Sequence, residues 1–165
     1  MDKKQKRKLA LISLLLLLFS GCGYKFLNKG SEKVYIKKIE NLTLQPKLQM
    51  YLYNNLTDVI INYPSFTLTS SEDNADYVLT ILLNKINRTP LFYDKYDSDE
   101  IVSSKLTVEG EVLLERNGEV FKKSFVQFIS YPLSNSYDEE KVLNDITKKI
   151  AIKVYTIILE NEERK

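Results

Sequence analysis

Asn117-Gly118 stands between two long runs of alternating apolar and polar residues, Ile101 to Arg116 and Glu119 to Tyr131. It leaves the chain little freedom there. A two-residue turn of type I′ needs positive φ at both central positions, which asparagine and glycine tolerate better than other residues, so the pair predicts a β-hairpin. So short a loop also fixes the register, placing Leu114 opposite Phe121 and Gly110 opposite Phe125. Leu106, Val108, Val112, Leu114, Phe121, Phe125 and Ile129 then share one face. The other face carries Glu109, Glu111, Glu115, Lys122 and Ser124, and is expected to meet water or a partner. Lys123 and Gln127 interrupt the apolar face, an irregularity that a bulge would relieve.

The remaining elements follow from period and punctuation. Val34 to Ile39 reads as a first strand of edge character. From Pro46 to Asn62 the residues Leu48, Leu52, Leu56, Val59 and Ile60, with Tyr63 just beyond, recur at helical spacing, Pro46 suits the first turn, and Tyr63-Pro64 ends the helix. Phe66 to Thr69 and Tyr77 to Arg88 read as strands. Ser136 and Glu139 have capping-box spacing, with Asp138, Glu139 and Glu140 complementing the dipole of a second helix along Leu143, Ile146, Ile150, Val154, Ile157 and Ile158. The β-branched stretch Ile150 to Leu159 also fits a strand. The predicted order is β-α-β-β-β-β-α: an α+β, two-layer fold, mostly antiparallel, with two helices on one face of the sheet.

The N-terminus carries a different message. Lys3, Lys4, Lys6, Arg7 and Lys8 precede an apolar run from Leu9 to Phe19, broken by Ser13. That is too short for a transmembrane helix and has the form of a secretion signal. Ser20-Gly21-Cys22 follows and resembles a lipobox, in which the cysteine thiol receives diacylglycerol and the chain is cleaved just before it. The usual Leu or Val three residues before the cysteine is Phe19 here. The organisation expected is therefore a signal peptide over 1–21, a lipidated tether over 22–32, one domain over 33–160 and a frayed end over 161–165. Cys22 is the lipidation site. By the sorting rule that the lipobox resemblance brings with it, Gly23, rather than aspartate, favours transfer to the outer membrane.

Removing residues 1–21 takes five basic residues and one acid, leaving a net charge of −2, so the basic balance belongs to the signal and no nucleic-acid surface is implied. The chain has no histidine and a single cysteine, which removes Ser-His, Cys-His and histidine-based metal chemistry. No cofactor, metal or enzymatic activity is expected. Asp94, Asp97, Asp99 and Glu100 lack the spacing and the turn glycine of a calcium loop and read as a solvated loop.

Cys22-Gly23-Tyr24-x-Phe26, a strand ending in Glu40-Asn41-x-Thr43, a helix opening near Pro46, Ala75-Asp76-Tyr77, and a strand closing on Arg88-Thr89-Pro90 together resemble the LPS-assembly lipoprotein LptE family. The likeness spans the mature chain in short pieces. It implies a lipoprotein on the periplasmic side of the outer membrane that plugs an LptD-like barrel and helps lipopolysaccharide reach the outer leaflet. An accessory role in another envelope machine, barrel assembly or cell-wall synthesis, is the alternative. Tyr51, Tyr53, Tyr93, Tyr96, Tyr131, Tyr137 and Tyr155 fall off the core stripes or in loops, where they suit either a lumen wall or the rim of a small core. Lys85, Arg88, Lys122 and Lys123 are candidate lipopolysaccharide contacts, as a positive cluster near one end of the sheet or as solvated strand charges.

Overall fold

The structure is a computed structural model, and it describes residues 32–93, 95, 101–133 and 138–163. The signal peptide, Cys22, the tether to residue 31, the acidic residues 94 and 97–100, Tyr96, Ser136, Tyr137 and the last two residues lie outside the described residues.

The hairpin forms as the turn dictates. Asn117 has φ 51° and Gly118 φ 82°, joining β4 (Ile101–Arg116) to β5 (Glu119–Pro132) with Leu114 opposite Phe121 and Gly110 opposite Phe125. The register runs without a shift from Arg116 to Ser103, so no bulge relieves Lys123. Its amino group instead reaches the carboxylate of Glu160 on the packed helix. Pairing keeps its register because a charge on the apolar face can lean out to a partner at the helix end.

β3 (Tyr77–Tyr93) lies antiparallel to β4. It sends Tyr77, Leu79, Ile81 and Leu83 into the core, and a register shift between Leu83 and Lys85 then rephases the strand. β1 (Glu32–Asn41) inserts beside β3 and runs parallel to it, with the short β2 (Phe66–Leu68) parallel on its other side, giving the order β2-β1-β3-β4-β5. The α+β class and element order are as expected, and the three longest strands are antiparallel. The parallel part arises because α1 (Leu48–Asn62) carries the chain back across the sheet before β2 begins.

Both helices cover one face. α1 buries Leu48, Leu52, Leu56, Val59 and Ile60, whereas Tyr63, just past its end, is half exposed. Pro46 does not enter the first turn. It precedes Lys47, a left-handed cap (φ 63°) without a side-chain hydrogen bond. The approach is shaped instead by Asn41, whose Oδ1 accepts from the Thr43 amide (3.1 Å) and hydroxyl (2.7 Å) while its Nδ2 donates to Gln45 O (2.8 Å). α2 (Glu139–Glu162) is helical throughout and includes 161–162 of the segment expected to fray. Its cap is Asp138, accepting from Lys141 N, two residues after the expected serine. The β-branched stretch stays helical because Ile146, Ile150, Val154, Ile157 and Ile158 are all shut off from solvent at helical spacing, and that burial outweighs their small propensity penalty. Between the helices Asn55 Nδ2 donates to Asn144 Oδ1 and Thr147 Oγ1, both at 2.9 Å.

Gly110 is where the hairpin has no tolerance for a larger residue. A Cβ there would lie 2.4 Å from Leu82 O and 2.5 Å from Phe125 Cζ, whereas at Gly118 nothing stands within 4 Å and only the positive φ resists. Gly110→Ala should therefore destabilise the domain by about 2–3 kcal/mol, and Gly118→Val by on the order of 1–2 kcal/mol. Urea denaturation of both variants checks this ranking; an unmoved midpoint for Gly110→Ala contradicts the packing.

Candidate functional site

With both helices on one face, the opposite face of the sheet is left bare among the described residues. Alternation places Lys85 on β3, Lys105, Thr107, Glu109, Glu111 and Glu115 on β4, and Val120, Lys122, Ser124, Val126 and Phe128 on β5. Lys122 Nζ pairs with Glu111 Oε2 at 2.8 Å, Lys85 stands opposite Glu109, and Lys105 Nζ lies 5.8 Å from the Phe128 ring centroid. Val120, Val126 and Phe128 are 63%, 59% and 57% exposed. The face is thus a lattice of opposite charges with apolar side chains at its β5 side, able to meet a mixed polar and apolar wall.

The four basic candidates are not gathered. Lys85 and Lys122 are on the bare face, while Arg88 and Lys123 are on the helix side, because Arg88 pairs in register with Leu106 and Lys123 with Val112. Six residues of β4 separate those two levels, roughly 20 Å of strand. Arg88 binds Glu139 at the start of α2 and donates to Gln45 Oε1 (3.2 Å), and Lys123 binds Glu160 near its end. Both are helix clasps in this structure. Of the tyrosines, Tyr53 and Tyr93 are about half exposed, Tyr51 packs partly against the core, and Tyr131 and Tyr155 are buried at 6% exposure. Core membership for the last two corrects the sequence reading: Tyr155 falls on a second buried stripe that faces α1, with the Tyr63 ring tilted against it at 5.3 Å and the Phe66 ring edge-on at 5.5 Å.

A third constellation gave no sequence signal because its members are distant along the chain. At the end of the sheet where β1 begins, Arg116 Nη2 pairs with Glu32 Oε1 at 2.6 Å, its Nη1 donates to the Tyr77 hydroxyl, and its guanidinium lies 4.5 Å from the Tyr77 ring centroid. Both charged side chains are about one-fifth exposed. Burial, followed by the neighbouring Glu32 carboxylate, holds the Tyr77 phenol well above the ordinary tyrosine range. Arg116 also lines an open cleft of about 500 Å³ with Leu114, Phe121 and Asn161. At the opposite end Lys47 and Glu140 pair at 2.6 Å, which raises the lysine and lowers the carboxyl from their usual values. Among the described residues no group of three His, Cys, Asp or Glu is placed to hold a metal ion.

No family model matches the chain, and no curated protein does. Solved structures do match its fold. Rare lipoprotein B from Shewanella oneidensis superposes with a TM-score of 0.53 at 10% identity, covering 81% of this chain and 98% of that one. Lipoprotein B from Nitrosomonas europaea gives 0.53 at 12% identity over 74% and 79%. At such identities the likeness is one of fold: the described domain shares the α+β fold of these two lipoproteins.

The base cluster has a pH signature. Because the folded-state pKa of Tyr77 is raised, the unfolded chain releases its phenolic proton first, and stability falls as pH climbs above the ordinary tyrosine value of 10.0. Tyr77→Phe should remove part of that alkaline loss, read as a smaller drop in Tm above about pH 10. Arg116→Met should cost about 2 kcal/mol at neutral pH by stranding a largely buried Glu32 carboxylate. Equal alkaline slopes for Tyr77→Phe and wild type would contradict the assignment.

Proposed function

We propose that this chain is a lipid-anchored lipoprotein of the outer membrane that acts, without enzymatic chemistry, as the plug and assembly partner of an LptD-like barrel in lipopolysaccharide transport. The observation that carries the reading is the joining of two features: an export signal that ends on the chain's one cysteine, Cys22, and a domain with the fold of rare lipoprotein B. The sequence resemblance to the LptE family points the same way, as does Gly23 beside the anchor.

The arrangement of the domain suits the role. The chain enters at Glu32, which Arg116 grips, so ten tether residues after the lipidated cysteine would keep the base of the domain within roughly 35 Å of the membrane. Two or three acyl chains on Cys22 would make that anchor durable. The bare sheet face, with Glu109, Glu111 and Lys122 at its centre and Val126 and Phe128 at its side, would lie along the lumen wall, which is polar in a membrane barrel. Lipid A phosphates would meet Lys85 and Lys122, which stand on that face, more readily than Arg88 and Lys123, which stand on the helix side and clasp α2.

Mass spectrometry of the mature wild-type N-terminus should find a diacylglyceryl-modified Cys22, and Cys22→Ser should leave an unlipidated precursor. Combined reversal of Glu109, Glu111 and Lys122 should reduce co-purification of a tagged LptD-like barrel by about tenfold, with little change in the melt of the lipoprotein itself, because exposed charges add little to folding. Absence of any barrel from the wild-type preparation would sink the plug reading, and recovery of a barrel-assembly component instead would favour the accessory role.

A further inference from the structure

β5 is the outermost strand on its side of the sheet, and its far edge meets no other strand among the described residues. Backbone geometry says which of its groups point outward. The Leu133 amide donates to Val102 O at 2.9 Å, and Phe128 O accepts from Lys149 Nζ at 3.3 Å. In an antiparallel ladder successive residues alternate, so the odd-numbered residues bond to β4 and the even-numbered ones present their amides and carbonyls outward. Pro132, which has no amide proton, falls in the outward set, where an edge strand tolerates it.

The stretch Ser124–Tyr131, SFVQFISY, contains no charge, no proline and no register shift. Natural edges are usually blunted by such devices, and a β-branched and aromatic edge without them is a template for another strand. Lys149, reaching from α2, caps one of its outward carbonyls, that of Phe128.

We infer that a second copy of this chain covers the edge, its β5 running antiparallel to the first about a two-fold axis through Gln127. A strand paired with itself must keep same-face residues opposite one another, which puts the axis on a residue rather than between two. At Gln127 the two most exposed apolar side chains in the middle of the strand meet: Val126 faces Phe128 of the partner subunit, and the symmetry repeats the contact. Ser124 and Ser130 likewise stand across from each other. Lys122 and Lys123 at one end meet the proline and tyrosine at the other, so no like charges are opposed. The outward-facing backbone groups of the even-numbered residues supply the new hydrogen bonds, and Gln127 forms a non-hydrogen-bonded pair with its own symmetry mate. Ile152, 45% exposed and one helical turn from Lys149, lies along the same side of α2 and gains cover. Lys149 gives up the Phe128 carbonyl when the strand docks. This paired form is that of the free lipoprotein and stands apart from the barrel proposal; a lumen admitting one copy would have to separate it.

The test uses the full-length lipoprotein in detergent. Gln127→Cys under mild copper-phenanthroline oxidation should become predominantly a disulfide-linked dimer, since opposed residues of a non-hydrogen-bonded pair have Cα atoms about 4.5 Å apart. Wild type under the same oxidant should give none, and Glu119→Cys little. Sedimentation should give a dimer mass for wild type, and Val126→Lys should weaken association at least about tenfold with an unchanged thermal melt. A wild type that sediments as a monomer, or a dimer that Gln127→Cys does not cross-link, overturns the inference. Neither result would alter barrel co-purification.

Discussion

The opposition of Gly110 and Phe125 across the β4–β5 ladder is the contact on which the layered packing depends. A glycine in the middle of a long strand leaves a hole, and here the ring of Phe125 lies over it, within 2.5 Å of where a Cβ would stand. Phe125 reaches that hole only in one register, the one imposed by the two left-handed residues at the turn. A slip of β5 by one residue would carry Phe121, Phe125 and Ile129 to the bare face together. β3 then pairs with β4 in phase, so Leu79, Ile81 and Leu83 complete the same apolar floor, and the two helices have one surface to cover.

Polar contacts hold the layers at their ends. Glu32, Arg116 and Tyr77 tie the first strand to the end of β4, and Arg88 with Gln45 ties β3 to the start of α2. Lys123 and Glu160 close the hairpin on the far end of that helix. These clasps occupy side chains that a sequence reading offers to a ligand. A basic residue on the helix-facing side of a sheet must find a carboxylate at the rim or stay desolvated, and the long arms of Arg88 and Lys123 reach out to do so.

What could be read from the sequence was local. The hairpin register, the α1 stripe, the apolar and polar faces of β4 and β5 and the order of elements all follow from period and turn chemistry. The parallel insertion of β1 between β2 and β3 did not show, because no short-range signal reports strand order. Core membership of Tyr131 and Tyr155 is hidden for a related reason: each becomes core only once distant neighbours arrive, Tyr63 and Phe66 in the case of Tyr155. The cap of α2 slipped from Ser136 to Asp138 because several nearby residues can serve, and Pro46 was drawn into a helix that Asn41 and Thr43 delay by two residues. At the basic candidates, residue type was legible but strand phase past the irregularity after Leu83 was not, and phase decides which face a lysine occupies.

A sheet covered on one side faces a choice that its bare side and its edges record. Were the bare face meant for water alone, it would carry little exposed apolar surface; instead the charges of Glu109, Glu111 and Glu115 on β4, with Lys85 and Lys122 to either side, adjoin Val120, Val126 and Phe128 on β5. Burying those side chains at about 25 cal/mol per Å² would stabilise association only modestly. Glu111, already paired with Lys122 within the chain, would give up little solvation on meeting a polar wall, so it favours orientation over affinity. Such a face would suit a chain held near a partner by an anchor, as proposed for Cys22: a tether would supply a high local concentration, and a surface of moderate affinity would then be sufficient.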